Sequence, residues 1–169
     1  PDAGWQLDVA GGTDLQAWEP VRALARSLGV ENCITWHGFC SQHALTALLR
    51  QSLCLVSTSL LESFAMVATE AMARGCPPIV ADCAAMPESV GDAGLLATPG
   101  NAESFADAVR SLVQVPGRRS QLVAHGRSRI QKLRWSQCGR AFHELFAELT
   151  TAAESATRPA GKDVQNRAA

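Results

Sequence analysis

Apolar positions along this chain switch repeatedly between strand-like runs and helical spacing. Trp5 to Ala10 is a short β-prone run closed by Gly11-Gly12, after which Thr13 or Asp14 can cap a helix. From there Leu15, Trp18, Val21, Ala25 and Leu28 recur three or four positions apart, as one helical face requires, and Gly29 ends the run. Cys33 to Trp36 predicts a second strand, and HGFCS the loop behind it. The unit then repeats: helix His43 to Arg50, strand Leu53 to Ser57, a loop to Glu62, helix Phe64 to Arg74, strand Pro77 to Val80. LCLV and PPIV are continuously apolar instead of alternating, which marks strands covered on both faces, as in a parallel sheet wrapped by helices. The predicted fold class is therefore α/β, doubly wound. MPESVG reads as a turn and LLAT as a strand. Helices follow at Ala102 to Val113, in RRSQLVAHGRSRIQKL, and from Trp135-Ser136 to about Ala153.

The 169 residues suit one domain, placed at 1–155, with a polar remainder at 156–169 that has almost nothing to bury and is expected to be a disordered tail. The chain enters a strand almost at once and Pro1 is not an initiator methionine, so a fragment is expected. Lys and Arg total 15 against 16 Asp and Glu, a balance that argues against nucleic acid as a partner. Cys33, Cys40, Cys54, Cys76, Cys83 and Cys138 form no C-x-x-C pair, and they read as reduced, buried small hydrophobes of a cytoplasmic protein. No apolar run has the length of a membrane span.

Candidate chemistry concentrates in LLESFAMVATEAMARG, residues 60–75, where Glu62 and Glu70 interrupt an apolar, small-residue run. Taken singly, each is most simply a solvated acid: Glu62 lies in a loop, and Glu70 falls off the face made by Phe64, Val67, Ala68, Ala71, Met72 and Gly75. Their setting changes the reading. In a parallel α/β sheet, ligands bind beyond the carboxyl ends of the strands. There the N–H groups of Ser63, Phe64, Ala65 and Met66, at the start of a helix, favour an anion such as a diphosphate. Two carboxylates beside an anion site suit hydroxyl groups, and a nucleotide-sugar combines both chemistries.

ESFAMVATEAMARGCPPIVA resembles the signature of glycosyltransferase family 4, in which a glutamate, an aromatic and usually a glycine lead to a second glutamate eight residues on. QLDVAGG, ITWHGFCSQHALTALLRQSLCLVSTS, MPESVGDAGLLATPGN and RWS resemble the flanking segments in order, so the likeness covers about Leu7 to Phe146. It implies the C-terminal, donor-binding half of a GT-B enzyme, a Rossmann-like parallel sheet with helices on both faces. It also implies a sugar transferred from a nucleotide-sugar with retention of configuration, no metal and no cofactor. Glu62 would be catalytic, taking hydroxyls of the transferred sugar, and Glu70 would hold the ribose. Ser63, Phe64, Ala65 and Met66 would face the sugar and diphosphate, and Gly38-Phe39 the base. The acceptor is not legible.

The sequence departs from the pattern at Ala65, where glycine is usual and a Cβ could crowd the donor, and at Ala84-Ala85-Met86, which replace glycines before Pro87-Glu88. The family's first strand and helix of this domain, which carry two cations for the diphosphate, and its N-terminal acceptor domain would precede Pro1. The chain alone is thus expected to be inactive. Two other readings remain: a non-catalytic nucleotide-sugar-binding or structural remnant, and a nicotinamide-dependent oxidoreductase, whose glycine fingerprint Gly11-Gly12-Thr13 does not supply. His37, His43, His125 and His143 lack ligand spacing, and Trp18 and Trp36 read as core. Arg118, Arg119, Arg127, Arg129, Lys132 and Arg134 read as solvated helix faces, with peripheral contact to an anionic membrane as the second reading.

Overall fold

The computed structural model describes residues 4–12 and 15–157. Strands and helices alternate: β1 (Leu7–Ala10), α1 (Leu15–Ser27), β2 (Ile34–Gly38), α2 (Gln42–Gln51), β3 (Leu55–Ser57), α3 (Met66–Ala73), β4 (Pro78–Ala81), α4 (Met86–Val90), β5 (Leu95–Ala97), α5 (Ala102–Gln114), α6 (Arg118–Lys132) and α7 (Trp135–Thr157). Every strand pairing is parallel. The α/β class predicted from the sequence is the observed one.

Local chemistry sets the helix limits. Ser41 caps α2 by accepting a hydrogen bond from the Ala44 amide at 3.2 Å, and Asn101 caps α5 by accepting from the Ser104 amide at 3.1 Å. The proposed cap at Thr13-Asp14 lies outside the described residues. The predicted helix Phe64 to Arg74 begins later, at Met66, because Ala65 adopts φ 50° and ψ 52°, a left-handed conformation that cannot continue a helix. MPESVG, expected as a turn, contains α4, whose Pro87 sits in its first turn, where a missing N–H costs nothing.

Strand β4 explains the continuous apolar run. All four of its residues are buried. Val80 packs with Ala65, Ala68, Met86 and Val90, contributed by α3, α4 and the turn before α3. The neighbouring Ile79 points the other way, into Ala97, Leu112 and Leu122 under α5 and α6. A third cluster, Leu49, Ala71 and Cys76, joins α2 to α3. Burial raises the thiol of Cys76 to about 12 and that of Cys54 to about 11. Cys138, expected inside, is exposed on α7.

The expected continuous sheet is divided. β1 pairs with β2 in one sheet, and β3, β4 and β5 follow in order in another, with no ladder joining the two among the described residues. On the smaller sheet Trp18 of α1 lies against Trp36 of β2 with ring centroids 5.4 Å apart, and the Arg22 guanidinium sits 5.0 Å above the Trp36 ring. The two tryptophans are partly exposed, less enclosed than core residues.

The chain forms two compact units, Pro1–Ser128 and Arg129–Ala169. In the second, α7 carries Trp135, Phe142, Phe146 and Leu149 exposed. That helix runs to Thr157, and the rest of the expected tail lies outside the described residues.

Candidate functional site

Because the strands of each sheet run parallel, the segments that follow β1 and β2 leave one sheet from its carboxyl edge and those that follow β3 and β4 leave the other from its own, and the sequence-derived candidates lie in these segments. The Gly11 amide donates to the Gly38 carbonyl at 2.7 Å, which ties the turn after β1 to the loop after β2. In that loop Phe39 is exposed. Three residues further on, Gln42 at the start of α2 reaches across to α3, its Nε2 donating to Glu70 at 3.3 Å.

Glu70 stands one turn into α3 between that amide and Arg74, whose guanidinium lies 3.8 Å from the carboxylate. Arg74 is itself held by the Thr46 hydroxyl at 2.9 Å and the Glu70 carbonyl at 2.9 Å. The acid is therefore half-buried and oriented by α2 and its own helix. Its neighbour Thr69, off the expected helix face, is buried all the same, and its hydroxyl donates to the Met66 carbonyl at 2.8 Å.

The loop from β3 to α3 is held from one side by the segment after β4. The Cys83 thiol lies 3.7 and 3.6 Å from the carbonyls of Ser59 and Leu60. The Ala85 amide donates to the Glu62 carbonyl at 3.4 Å, and the buried Ser89 hydroxyl donates to the Phe64 carbonyl at 2.8 Å. Four carbonyls of the loop thus face residues 83–89. The amides of Ser63, Phe64 and Ala65 make no backbone hydrogen bond among the described residues, and the first amides of α3 follow directly. The result is a turn rich in free N–H groups, with Glu62 at its entry and Glu70 one turn beyond. No side-chain hydrogen bond or ion pair engages the Glu62 carboxylate among the described residues.

Ala65 and Ala84 are the two non-glycine residues at positive φ, both at 50°. Both are among the positions at which the sequence departs from glycine, so at these two the preference for glycine has a backbone cause; Ala85, another of those positions, has φ -82° and needs none. The Ala65 methyl is buried with Ala68, Val80 and Met86. Sequence reasoning saw the substitution and attached it to donor crowding; the packing attaches it first to backbone strain. Gln42, Arg74 and Ser89 were given no role in the sequence, and Cys83, read there as a buried small hydrophobe, is only partly buried and faces the loop, since each acts on a residue distant along the chain or through the backbone.

Residues 2–129 match the family Glycosyl transferases group 1. The chain belongs to this family. It is 31% identical over 155 residues, 90% of its length, to a D-inositol 3-phosphate glycosyltransferase of Corynebacterium jeikeium, of which it covers 36%. It is 35% identical over 108 residues, 60% of the chain, to the lipopolysaccharide 1,6-galactosyltransferase of Salmonella typhimurium, of which it covers 29%. The chain therefore spans about a third of the length of the curated relatives it matches. Among solved structures, a sucrose-phosphate synthase from Thermosynechococcus elongatus superposes with a TM-score of 0.76 at 27% identity, over 87% of this chain and 39% of that one. The Anabaena protein HepE, in complex with UDP-glucose, gives a TM-score of 0.71 at 21% identity over 87% of this chain and 41% of that one, a likeness of fold. The architecture is that of GT-B glycosyltransferases.

Proposed function

We propose that this chain is the donor-binding part of a retaining, metal-independent glycosyltransferase of the family 4 type, which moves a sugar from a nucleotide-sugar to an acceptor. The observation that carries the reading is the turn before α3, whose carbonyls are drawn toward residues 83–89 and whose amides are free, flanked by Glu62 and Glu70. Free amides at a helix start suit a diphosphate, and carboxylates suit the hydroxyls of a sugar and a ribose. HepE, bound to UDP-glucose, pairs this fold with a ligand of that composition.

In this reading Glu62 takes hydroxyls of the transferred sugar. Glu70, oriented by Gln42 and Arg74, holds the ribose, Ser63 to Met66 face the diphosphate, and Gly38-Phe39 lie against the base. An acceptor needs a second domain to position it for attack, so the chain alone is expected to transfer nothing.

The test is calorimetric titration of the whole polypeptide with a panel of nucleoside diphosphates and their sugars. Glu70→Gln keeps an acceptor but loses the charge, a change of about 1 to 2 kcal/mol, so affinity for the free nucleoside diphosphate should fall on the order of tenfold. Glu62→Gln should leave that affinity intact and lower turnover. Equal loss of nucleotide affinity in both variants would overturn the division of roles. Tight binding without turnover in the whole polypeptide would instead make the protein a non-catalytic binder.

A further inference from the structure

Polar contacts between α2 and α3 recur at one interval. Gln42 donates to Glu70 and Arg74 donates to Thr46, each pair 28 positions apart, so the two helices lie side by side, run the same way, and meet at points one helical turn from each other. Farther along, Leu49 of α2 closes on Ala71 and Cys76 in an apolar contact. The Thr46 and Arg74 pair therefore stands directly behind the carboxylate of the candidate site.

Arg74 is held more firmly than an acid and a base one turn apart on a helix require, a pair that contributes little when exposed. It ends α3, where a cation suits the free carbonyls, and this accounts for the bond from its Nη1 to the Glu70 carbonyl at 2.9 Å. It does not account for the Nε bond to Thr46 of another helix at 2.9 Å, which with the first bond fixes the planar guanidinium, nor for a side chain that is only 18% exposed. From there Nη1 stands 3.8 Å from Oε2 of Glu70, the same oxygen that accepts from Gln42 at 3.3 Å. Oε1 has no partner among the described residues. One carboxylate oxygen is engaged by the protein, and the other is left to a ligand.

We propose, resting on the reading that Glu70 holds the ribose, that Arg74 braced by Thr46 is the residue that positions this carboxylate, and that it thereby sets a preference for a ribonucleotide donor over a 2′-deoxyribonucleotide one. Gln42 does not suffice for this, because it is exposed and its side chain keeps most of its freedom. Arg74 is enclosed and fastened at two atoms, so the position of its charge is fixed before any ligand arrives. Holding Oε2 leaves Oε1, with two lone pairs, to accept from the 2′- and 3′-hydroxyls of one ribose. A 2′-deoxy ligand leaves one of those lone pairs unfilled. The cation also balances the charge of Glu70, so the acceptor for the ribose does not repel a diphosphate at the amides of the neighbouring turn. Without the brace the carboxylate turns among its rotamers, and its bonds to the two hydroxyls cannot form together.

Titration of the whole polypeptide with UDP, ADP and GDP, each beside its 2′-deoxy form, reads this directly, because the ratio of the two affinities cancels any general loss of stability or of diphosphate binding. The unaltered protein should prefer the ribonucleotide by roughly tenfold or more, the size of one hydrogen bond to a charged group. Arg74→Met should weaken both forms and bring the preference to within about threefold. Thr46→Val, which keeps the charge and removes the brace, should lower the ratio in the same direction. Arg74→Lys, which keeps the charge without the planar fork, should retain more affinity than Arg74→Met and still lose the preference. A full preference in Arg74→Met, or a ratio unchanged in Thr46→Val and Arg74→Lys, overturns the positioning role and leaves the ribose reading of Glu70 standing. No preference in the unaltered protein, an equal preference in Glu70→Gln, or no binding of any of the six nucleotides overturns that reading and this inference with it.

Discussion

Ala65 and Ala84 share a backbone conformation but differ in what their methyl groups touch. An L-residue in the left-handed region costs about 1–2 kcal/mol relative to the right-handed one, a cost that glycine avoids. Ala84 is exposed, whereas Ala65 is 1% exposed and packs in the β4 core. Replacing Ala65 by glycine therefore relieves strain but removes a buried methyl worth about 0.8 kcal/mol. Both substitutions should raise stability, Ala84→Gly by about 1 kcal/mol and Ala65→Gly by less, as urea midpoints of the single variants will show. The reverse order would mean that the Ala65 methyl contributes nothing to the core.

α4 is a five-residue helix whose role is to hold another segment. Its buried Ser89 hydroxyl closes on the Phe64 carbonyl, and the residues just before it hold the carbonyls of Ser59, Leu60 and Glu62. Ser89→Ala removes the donor to the Phe64 carbonyl from a part-buried bond, which costs about 0.5–1.5 kcal/mol. Chemical denaturation should show this loss, and exchange of the Ala85 amide, which donates to the Glu62 carbonyl of the loop, should quicken more than that of β4. If the loss is spread evenly over the chain, Ser89 stabilises the core without positioning the loop. On the far side of the sheet, Arg119 of α6 donates to the Leu53 carbonyl at 3.0 Å and the Ser52 carbonyl at 3.3 Å, fastening that helix to the end of α2.

Across the larger unit, the most deeply placed ionisable groups are thiols. Burial lifts Cys54 to about 11 and Cys76 to about 12 from an ordinary value of 9.0. Both are neutral in either state below that value, so they add no pH dependence there. Above it, the unfolded chain releases their protons while the folded chain keeps them; the unfolded state then binds fewer protons, and stability falls as pH rises. The folded protein should lose stability between about pH 9 and pH 11, with a shallower fall in Cys76→Ala, measured as urea midpoint against pH. A slope unchanged by the substitution would place the titrating group elsewhere.

The sequence by itself determined the α/β class, because apolar period is a local property: PPIV announces β4, which is buried throughout, whereas LCLV, read the same way, leaves Val56 exposed, and Val21 and Leu28 of the helical spacing from Leu15 to Leu28 are exposed as well. It also marked the segment of the candidate site, since Glu62, the small residues and Glu70 lie within one short stretch. The tertiary structure decided what that stretch can do. The strain at Ala65 depends on φ, and the hold on the loop joins residues about two dozen positions apart, from Ser59 to Cys83 and from Phe64 to Ser89. The orientation of Glu70 needs Gln42 and Thr46 from α2. The division of the sheet was equally out of reach. Periodicity tells which face of a strand is apolar, whereas which edge is paired depends on a neighbour, and the bare edges of β1 and β3 become visible only when every other strand is in place.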